Sequence, residues 1–152
     1  MIKRLTHYGT LAVIALAILS CTPHHTPLEI GGTLTDQQLA DPDTVFFVTS
    51  AGSIEKTYCL VIDGVSYDVA LDKSARISYI QTIDSKFRTD GLRIGSSLKE
   101  AQNAAGSELS TEPGWGFYYH LPSGWNAAFT VGYTMTDSLP SDSAEIKWFF
   151  KR

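Results

Sequence analysis

The chain has 152 residues, of which 12 are Lys or Arg and 16 are Asp or Glu, so its formal net charge at pH 7 is −4. This acidic balance disfavours nucleic acid as a partner, because binding to a phosphate backbone requires clustered cations. Two cysteines are too few for a disulfide framework, and the length suits one domain with its own apolar core.

The first 21 residues have the layout of a secretory signal peptide. Lys3 and Arg4 give a positive start, residues 11–19 form an unbroken apolar run, and the small residue Ser20 stands directly before Cys21. The apolar run is far shorter than the roughly 20 residues that cross a bilayer as a helix. We therefore expect this segment to be cleaved rather than retained as a membrane span.

Residues 18–21, with the sequence Ile-Leu-Ser-Cys, resemble the bacterial lipobox, in which the cysteine thiol is acylated and becomes the new N-terminus after cleavage. The resemblance implies a lipoprotein anchored at Cys21, and multiple acyl chains make such an anchor effectively permanent. Thr22 follows in place of Asp, which by the same resemblance implies the outer membrane of a Gram-negative cell, with the domain facing the periplasm. Cleavage would leave ten basic and 16 acidic residues, a net charge of −6. The alternative is an ordinary signal peptide cut nearby.

After the signal peptide over residues 1–20, the composition predicts a lipidated N-terminus and flexible tether over residues 21–44, followed by one domain over residues 45–152. Prolines, paired glycines and many Thr and Asp residues are typical of a linker. Within it, Thr35 and Gln38 have the spacing of a capping box, which predicts a single helical turn.

Residues 45–84 have the pattern of four short antiparallel strands. The apolar runs lie at 45–50, 57–62, 65–71 and 75–84. Asp63-Gly64 is a strong signal for a two-residue hairpin between the second and third strands. Cys59 lies in the middle of an apolar run, so we expect a small buried residue in a strand; once Cys21 is acylated, it is the only remaining thiol.

A short amphipathic helix is predicted near residues 97–105. Ser97 and Glu100 have capping-box spacing, and Gly106 stands where a glycine often ends a helix. Small apolar residues form one stripe between these caps, which favours close packing on a sheet. The same Gly-Ser-Ser turn at a helix start is compatible with an anion site, but it lacks the lysine of a phosphate loop.

The second half of the chain predicts a β-hairpin whose three-residue loop is residues 122–124. The predicted partners are Leu121 with Trp125, Tyr119 with Ala127, Phe117 with Phe129 and Trp115 with Val131. The final run places Ile146, Trp148 and Phe150 on one face. Trp115, Trp125 and Trp148 are then either core residues or a glycan-binding platform on a shared face.

These elements together predict an α+β fold, with an antiparallel β-sheet of hairpins and one short packed helix near 97–105. Whether residues 45–84 and 92–150 form one sheet or two stays open at this stage.

Residues 92–150 resemble the SmpA/OmlA-like small outer-membrane lipoproteins, which include a component of the barrel-assembly machinery. The matching positions are Gly95, Ser97, Glu100 and Gly106 around the helix, Trp115 to Tyr119 in the first strand, Phe129 in the second and Ile146 in the last. No proline follows Gly106, and residues 45–84 add a strand-rich half that these modules lack. The resemblance implies a non-catalytic adaptor in envelope assembly or integrity.

A cell-wall hydrolase with Cys59 and His120 as its catalytic pair is the enzymatic alternative. Cysteine peptidases of the cell wall place the nucleophile at a helix start, whereas Cys59 lies within a predicted strand. We therefore expect no enzyme, no cofactor and no metal. The expected function is a membrane-anchored, non-catalytic binding or structural accessory with an envelope protein or glycan as partner, and a periplasmic ligand-binding or inhibitor module is the other alternative.

Overall fold

The computed structural model describes residues 28–40 and 44–152, with the side chains of residues 44–46 left undescribed. The signal segment and Cys21 lie outside these ranges. The described elements are α1 (Asp36–Leu39), β1 (Thr44–Ser50), β2 (Ser53–Ile62), β3 (Val65–Leu71), β4 (Ile77–Thr82), α2 (Leu98–Ala104), β5 (Ser110–Glu112), β6 (Gly116–His120), β7 (Asn126–Phe129) and β8 (Trp148–Lys151). Neither helix in the described ranges has the length and apolar character needed to cross a bilayer.

All eight strands belong to one antiparallel sheet, in the order β1-β2-β3-β4-β8-β7-β6-β5. The strands before α2 form one four-stranded meander, and those after it form another. The two meanders are joined where β4 pairs with β8, with Ile80 opposite Lys151 and Thr82 opposite Phe149. The predicted α+β fold, an antiparallel sheet with a short helix, is confirmed, and the two halves form a single sheet that curls into a nearly closed barrel.

Local turn chemistry explains the first meander. Asp63 and Gly64 both have positive φ, 52° and 77°, as the central residues of a tight two-residue hairpin require. The strands on either side pair from Ile62 with Val65 onwards. The predicted hairpin and the third predicted strand are therefore confirmed.

Helix α2 begins with the predicted capping box. The Ser97 hydroxyl accepts a hydrogen bond from the Glu100 amide at 3.2 Å, and the Glu100 carboxylate accepts one from the Ser97 amide at 2.7 Å. Leu98 and Ala101 are buried on the side of the helix that faces the sheet. The helix ends at Ala104 with the extended Ala105 as its C-cap, and Gly106 follows directly. Gly106 does not have the positive φ of a glycine cap, so the predicted capping by this glycine is wrong.

The hairpin of β6 and β7 has the predicted register. Phe117 pairs with Phe129 and Tyr119 pairs with Ala127. The predicted pair of Trp115 with Val131 does not form, because both residues lie outside the two strands. The Leu121 amide donates to the Trp125 carbonyl at 2.8 Å, which closes the predicted three-residue loop.

Both faces of the sheet are buried. The face covered by α2, called here the helix face, contains the largest apolar cluster: Phe87, Leu92, Leu98, Ala101, Phe117, Tyr119, Leu121, Ala127, Phe129, Ile146 and Phe149. The opposite face, called here the enclosed face, contains Ala70, Tyr79, Trp115, Ala128 and Phe150. The side chains of the enclosed face come from the sheet and its turns, so the curl of the sheet itself removes them from water.

The domain begins before the predicted boundary. The Gly31 amide donates to the Ile77 carbonyl at 2.7 Å, and the Ile77 amide donates to the Gly32 carbonyl at 2.8 Å. Leu34 is buried in a cluster on the sheet. The prediction of a flexible tether through residue 44 is therefore wrong for these residues, because their backbone bonds and apolar burial attach them to β4. The helical turn capped by Thr35 is confirmed.

Two adjacent residues of β8 test the burial of both faces. Phe149 packs on the helix face and Phe150 on the enclosed face, and both are completely buried. Phe149→Ala and Phe150→Ala should each lower the free energy of unfolding by about 3–5 kcal/mol, because each leaves a cavity in a packed cluster. The exposed His120→Ala should change it by less than about 0.5 kcal/mol. Denaturant melts measure all three, and tolerance of either phenylalanine substitution would show that its face is open to solvent.

Candidate binding surface at the seam of the sheet

The three tryptophans do not share a face. Trp115 and Trp148 meet on the enclosed face, with ring centroids 5.4 Å apart and ring planes at 84°. Trp125 packs on the helix face, with its ring centroid 4.7 Å from that of Phe87. The predicted three-tryptophan platform is therefore wrong. Trp115 is only 2% exposed, so its ring is a core element rather than a surface on which a sugar could stack.

Gly116 explains why Trp115 leaves the alternation of its strand. Gly116 has φ +156°, and a Cβ there would lie 2.8 Å from the Phe129 carbonyl oxygen and 3.1 Å from the Trp148 ring. Only glycine allows this close approach of backbone and ring. The chain before it turns, and the Trp115 indole enters the enclosed face.

The last strand also departs from the predicted pattern. The strand begins at Trp148, so Ile146 lies before it. The Ile146 amide donates a hydrogen bond to the Ser96 carbonyl at 2.8 Å. Ile146 therefore packs on the helix face with Phe149, while Trp148 and Phe150 face the other way. The predicted grouping of Ile146 with Trp148 and Phe150 is wrong because period-two alternation does not extend beyond the strand.

Two hydrogen bonds join the hairpin of β1 and β2 to the turn between β5 and β6. The Trp115 indole N–H donates to the Val48 carbonyl at 3.0 Å. The Ala51 amide donates to Glu112 Oε1 at 2.6 Å. These four residues, called here the seam, link strands at opposite ends of the sheet order.

Arg152 completes the seam on the enclosed face. Its Nη2 lies 2.7 Å from Glu112 Oε2 and donates to the Tyr118 hydroxyl at 3.1 Å. Its guanidinium carbon lies 4.9 Å from the ring centroid of Trp115 and 5.4 Å from that of Phe150. The cation is thus held by one carboxylate, one phenol and the faces of aromatic rings, a combination that attracts a planar charged group.

The electrostatics of this pair keep both groups charged. Burial acts to raise the pKa of Glu112, but hydrogen bonds from Arg152 and the Ala51 amide and the Arg152 charge outweigh it, so the pKa is lowered. For Arg152, burial acts to lower the pKa, whereas the bonds and charges of Glu112 and Tyr118 raise it overall. The ion pair is therefore the stable form at neutral pH.

Exposed apolar side chains are found on two segments that are hydrogen-bonded to the turn at residues 112–115. Val48 and Ile54 are cross-strand partners and are 43% and 68% exposed. Tyr133 is 99% exposed and Met135 is 41% exposed. The two pairs, called here the rim, belong to segments bonded to the same turn, since the Gly114 amide donates to Thr136 Oγ1 at 3.2 Å and Trp115 donates to Val48.

The loop that displays Tyr133 is braced by Asp137. Its carboxylate accepts hydrogen bonds from the Tyr133 amide at 2.7 Å, the Thr134 amide at 3.1 Å and the Thr134 hydroxyl. The bond from the Thr134 hydroxyl, followed by that from the Tyr133 amide, lowers the pKa of Asp137. Gly132 has no room for a Cβ, which would lie 2.0 Å from Asp137 Oδ2. The loop is therefore a defined turn rather than an open coil.

The structure does not make Cys59 and His120 neighbours in the sheet. Cys59 is half-buried in β2, as the prediction of a strand requires, and His120 lies exposed at the end of β6. Strands β3, β4, β8 and β7 lie between them in the sheet order. The His120 ring packs edge-on against Tyr118, with centroids 5.2 Å apart. Within residues 28–40 and 44–152, no three His, Cys, Asp or Glu side chains are grouped to hold a metal ion.

A buried polar chain crosses the enclosed face of the first meander. The Tyr79 hydroxyl donates to Gln81 Oε1 at 2.9 Å, and Gln81 Nε2 donates to Asp68 Oδ2 at 3.3 Å. Burial raises the pKa of the Asp68 carboxyl, and the bond from Gln81 partly opposes that rise. Burial also raises the pKa of Tyr79, so its hydroxyl stays protonated and donates. This chain satisfies polar groups that the curl of the sheet removes from water.

Sequence reasoning missed Glu112, Tyr118 and Arg152 as a set. Glu112 and Arg152 are 40 residues apart, and no local pattern links them. The available signal was the alternation of aromatic residues in β6 and in β8, which predicts aromatic faces but does not place a cation against them.

The seam predicts a specific pH dependence. Because the pKa of Glu112 is lowered in the folded protein, its ion pair stabilises the fold above the ordinary glutamate pKa, and this contribution is lost as pH falls through the lower folded-state value. Glu112→Gln should therefore lower the free energy of unfolding by about 1–2 kcal/mol at pH 7, and this difference from wild type should disappear in acid. Glu145→Gln is the matched control, because it removes an exposed ion pair in which Glu145 Oε2 lies 3.7 Å from Lys147 Nζ. It should lower the free energy of unfolding by less than about 0.5 kcal/mol. Urea melts from pH 7 to pH 3 measure both, and an unchanged gap between wild type and Glu112→Gln across that range would contradict the ion pair.

Comparison with known proteins yields no match to a family model, to a curated protein or to a solved structure. What the domain does has to be inferred from its own residues and their geometry.

Proposed function

We propose that this protein is a membrane-anchored lipoprotein of the cell envelope, whose domain is a non-catalytic binding or structural accessory. The signal-peptide layout and the lipobox ending at Cys21 support the anchor, and Thr22 supports the outer membrane with the domain in the periplasm. The resemblance of residues 92–150 to SmpA/OmlA-like lipoproteins supports an adaptor role in envelope assembly or integrity.

The exposed apolar side chains of the rim are the main support for a binding role. Single exposed apolar residues are normal on protein surfaces, but here four lie on segments bonded to one turn. Tyrosine is enriched at protein interfaces because it offers a large apolar area with a polar end. A tyrosine that is 99% exposed on a braced loop contributes little to its own fold.

The hydrogen bonds that hold the rim segments in place favour a binding role for the rim. Asp137 fixes the loop of Tyr133 and Met135, and the seam fixes the hairpin of Val48 and Ile54. A surface fixed before association loses less conformational entropy on binding, so more of the contact energy appears as affinity. The rim therefore has the properties of a preformed contact surface.

A protein partner fits this surface better than a glycan. Sugar recognition by tryptophan requires an open ring face, and Trp115 is buried while Trp125 is packed beneath Lys151, whose Nζ lies 5.2 Å from the ring centroid. The rim instead offers aliphatic side chains, one thioether and one phenol. We therefore propose an envelope protein as the partner.

Site-specific photocrosslinking in the native host tests the anchor and the rim together. A photoreactive residue replaces Tyr133 in full-length chains that carry either Cys21 or Cys21→Ser. We expect a discrete protein adduct from Tyr133 in the Cys21 chain, because the rim faces its partner at the membrane. Cys21→Ser should lose fatty-acid labelling and most of the adduct, since the thiol that accepts the lipid is gone.

The matched control places the photoreactive residue at Lys99, which is exposed on α2, the helix that covers the helix face. Equal adducts from Lys99 and Tyr133, or adducts to glycan alone, would argue against the rim as a protein-binding surface. Normal lipid labelling of Cys21→Ser would remove the basis of the anchor.

A further inference from the structure

Four residues of the seam region surround the guanidinium group of Arg152. We call the set of Glu112, Trp115, Tyr118 and Phe150 the guanidinium seat. Arg152 occupies it: Nη2 meets the Glu112 carboxylate at 2.7 Å and the Tyr118 hydroxyl at 3.1 Å, and its Cζ lies 4.9–5.5 Å from three ring centroids.

The seat is specific for guanidinium over ammonium. A guanidinium is planar, weakly hydrated and able to stack on aromatic rings while its edge donates to a carboxylate. An ammonium is compact and strongly hydrated, so it loses more hydration energy between aromatic walls. Three rings and one carboxylate therefore favour arginine-type cations.

The walls of the seat are held without help from Arg152. Glu112 is fixed by the Ala51 amide at 2.6 Å, and the Trp115 indole is fixed by the Val48 carbonyl at 3.0 Å. Phe150 is a paired residue of β8. Removing the cation would thus leave the shape and charge of the seat in place.

Arg152, by contrast, contacts the rest of the domain through its side chain. Arg152 follows the last paired residue of β8, Lys151, so its departure breaks no bond of the strand ladder. Its side chain is 32% exposed. The seat therefore borders solvent on the side where the Arg152 side chain is exposed.

We propose that the guanidinium seat is a binding site for a guanidinium group from outside the chain, with Arg152 as a resident that such a ligand displaces. The shared chemistry is the guanidinium, whether from a small molecule or from an arginine side chain of a protein. Two features favour the protein source. The turn that supplies Glu112 and Trp115 is hydrogen-bonded to both segments of the rim, and the mature chain has a net charge of −6, which attracts a cationic partner. The choice of a partner protein's arginine as the ligand rests on the proposed function. The binding of a guanidinium group at this site does not depend on it.

Chemical rescue of Arg152→Ala tests the seat. The probes are ethylguanidinium chloride and ethylammonium chloride at equal low-millimolar concentration and ionic strength, added to the full mature chain. Ethylguanidinium should raise the thermal midpoint of Arg152→Ala by about 3 °C or more, because a ligand of the folded state stabilises it by mass action. Ethylammonium should have no such effect, and the double variant with Glu112→Gln should respond to neither. An equal response to both cations, a response that survives Glu112→Gln, or no response would overturn the proposed site.

Peptide binding separates the two sources and covers the case in which Arg152→Ala folds poorly. A labelled peptide with one arginine and its lysine-matched twin are titrated against wild type and the milder variant Arg152→Gln. The arginine peptide should bind Arg152→Gln at least tenfold more tightly than it binds wild type, and wild type should still bind it in preference to the lysine peptide. Binding of ethylguanidinium but not of the peptide would assign the site to small guanidines. If wild type bound neither ligand at any concentration, Arg152 would be a fixed structural group and the displacement would be disproved.

These results are independent of the crosslinking at Tyr133. Rescue by ethylguanidinium without an adduct at the rim would support the guanidinium seat and argue against the proposed protein partner. An adduct at the rim without rescue would support the protein partner and argue against the seat.

Discussion

A curled sheet can exclude water from its inner side only if its two edges are brought together, and in this protein the seam does so. The Trp115 indole and the Glu112 carboxylate reach from the turn between β5 and β6 to the hairpin of β1 and β2. Hydrogen bonds to charged groups contribute about 1.5–3 kcal/mol each, more than neutral ones. The enclosed face, where Tyr79 and Phe150 stack with centroids 6.0 Å apart, depends on that contact, because the seam links opposite ends of the sheet around it.

The rest of the architecture combines local hairpins with two longer-range pairings. The strands of the first meander, and β5 to β7 of the second, are close in sequence, so their turns and cross-strand pairs arise with little loop-closure cost. The pairing of β7 with β8 instead closes the connection over residues 130–147. The pairing of β4 with β8 then joins the halves, and α2 covers the face that the curl leaves outside. The consequence for function is rigidity: the seam that completes the core also fixes the surface that we propose for binding.

Much of this fold is readable from the sequence, because its turns are local. Asp63-Gly64 dictates a hairpin through the backbone conformation that it requires, and Ser97 with Glu100 dictates a helix start through reciprocal hydrogen bonds. The face of Trp115 is different, since it depends on a contact of Gly116 with Phe129 and Trp148 that only the folded sheet creates.

The start of the domain and the candidate site could not be predicted from the sequence for a related reason. Gly31 and Leu34 lie in a stretch with linker composition, yet they are held by pairing with Ile77 and by a cluster on the sheet. Glu112 and Arg152 meet only in the folded sheet, although β6 and β7 lie between their strands in the sheet order. Composition and periodicity describe a chain over short distances, whereas this cation site is assembled from residues far apart in sequence.

Hydrogen exchange at a single backbone amide tests the seam most directly. Ala51 lies exposed in a hairpin turn, where an amide ordinarily exchanges at close to the rate of an unfolded chain, but here it donates to Glu112. We expect NMR to find this amide protected by at least about tenfold, and Glu112→Ala to abolish the protection while the amides paired between β2 and β3 stay slow. Exchange of the Ala51 amide at the unfolded rate in the wild-type protein, with the rest of the sheet protected, would show that the seam does not join the two edges.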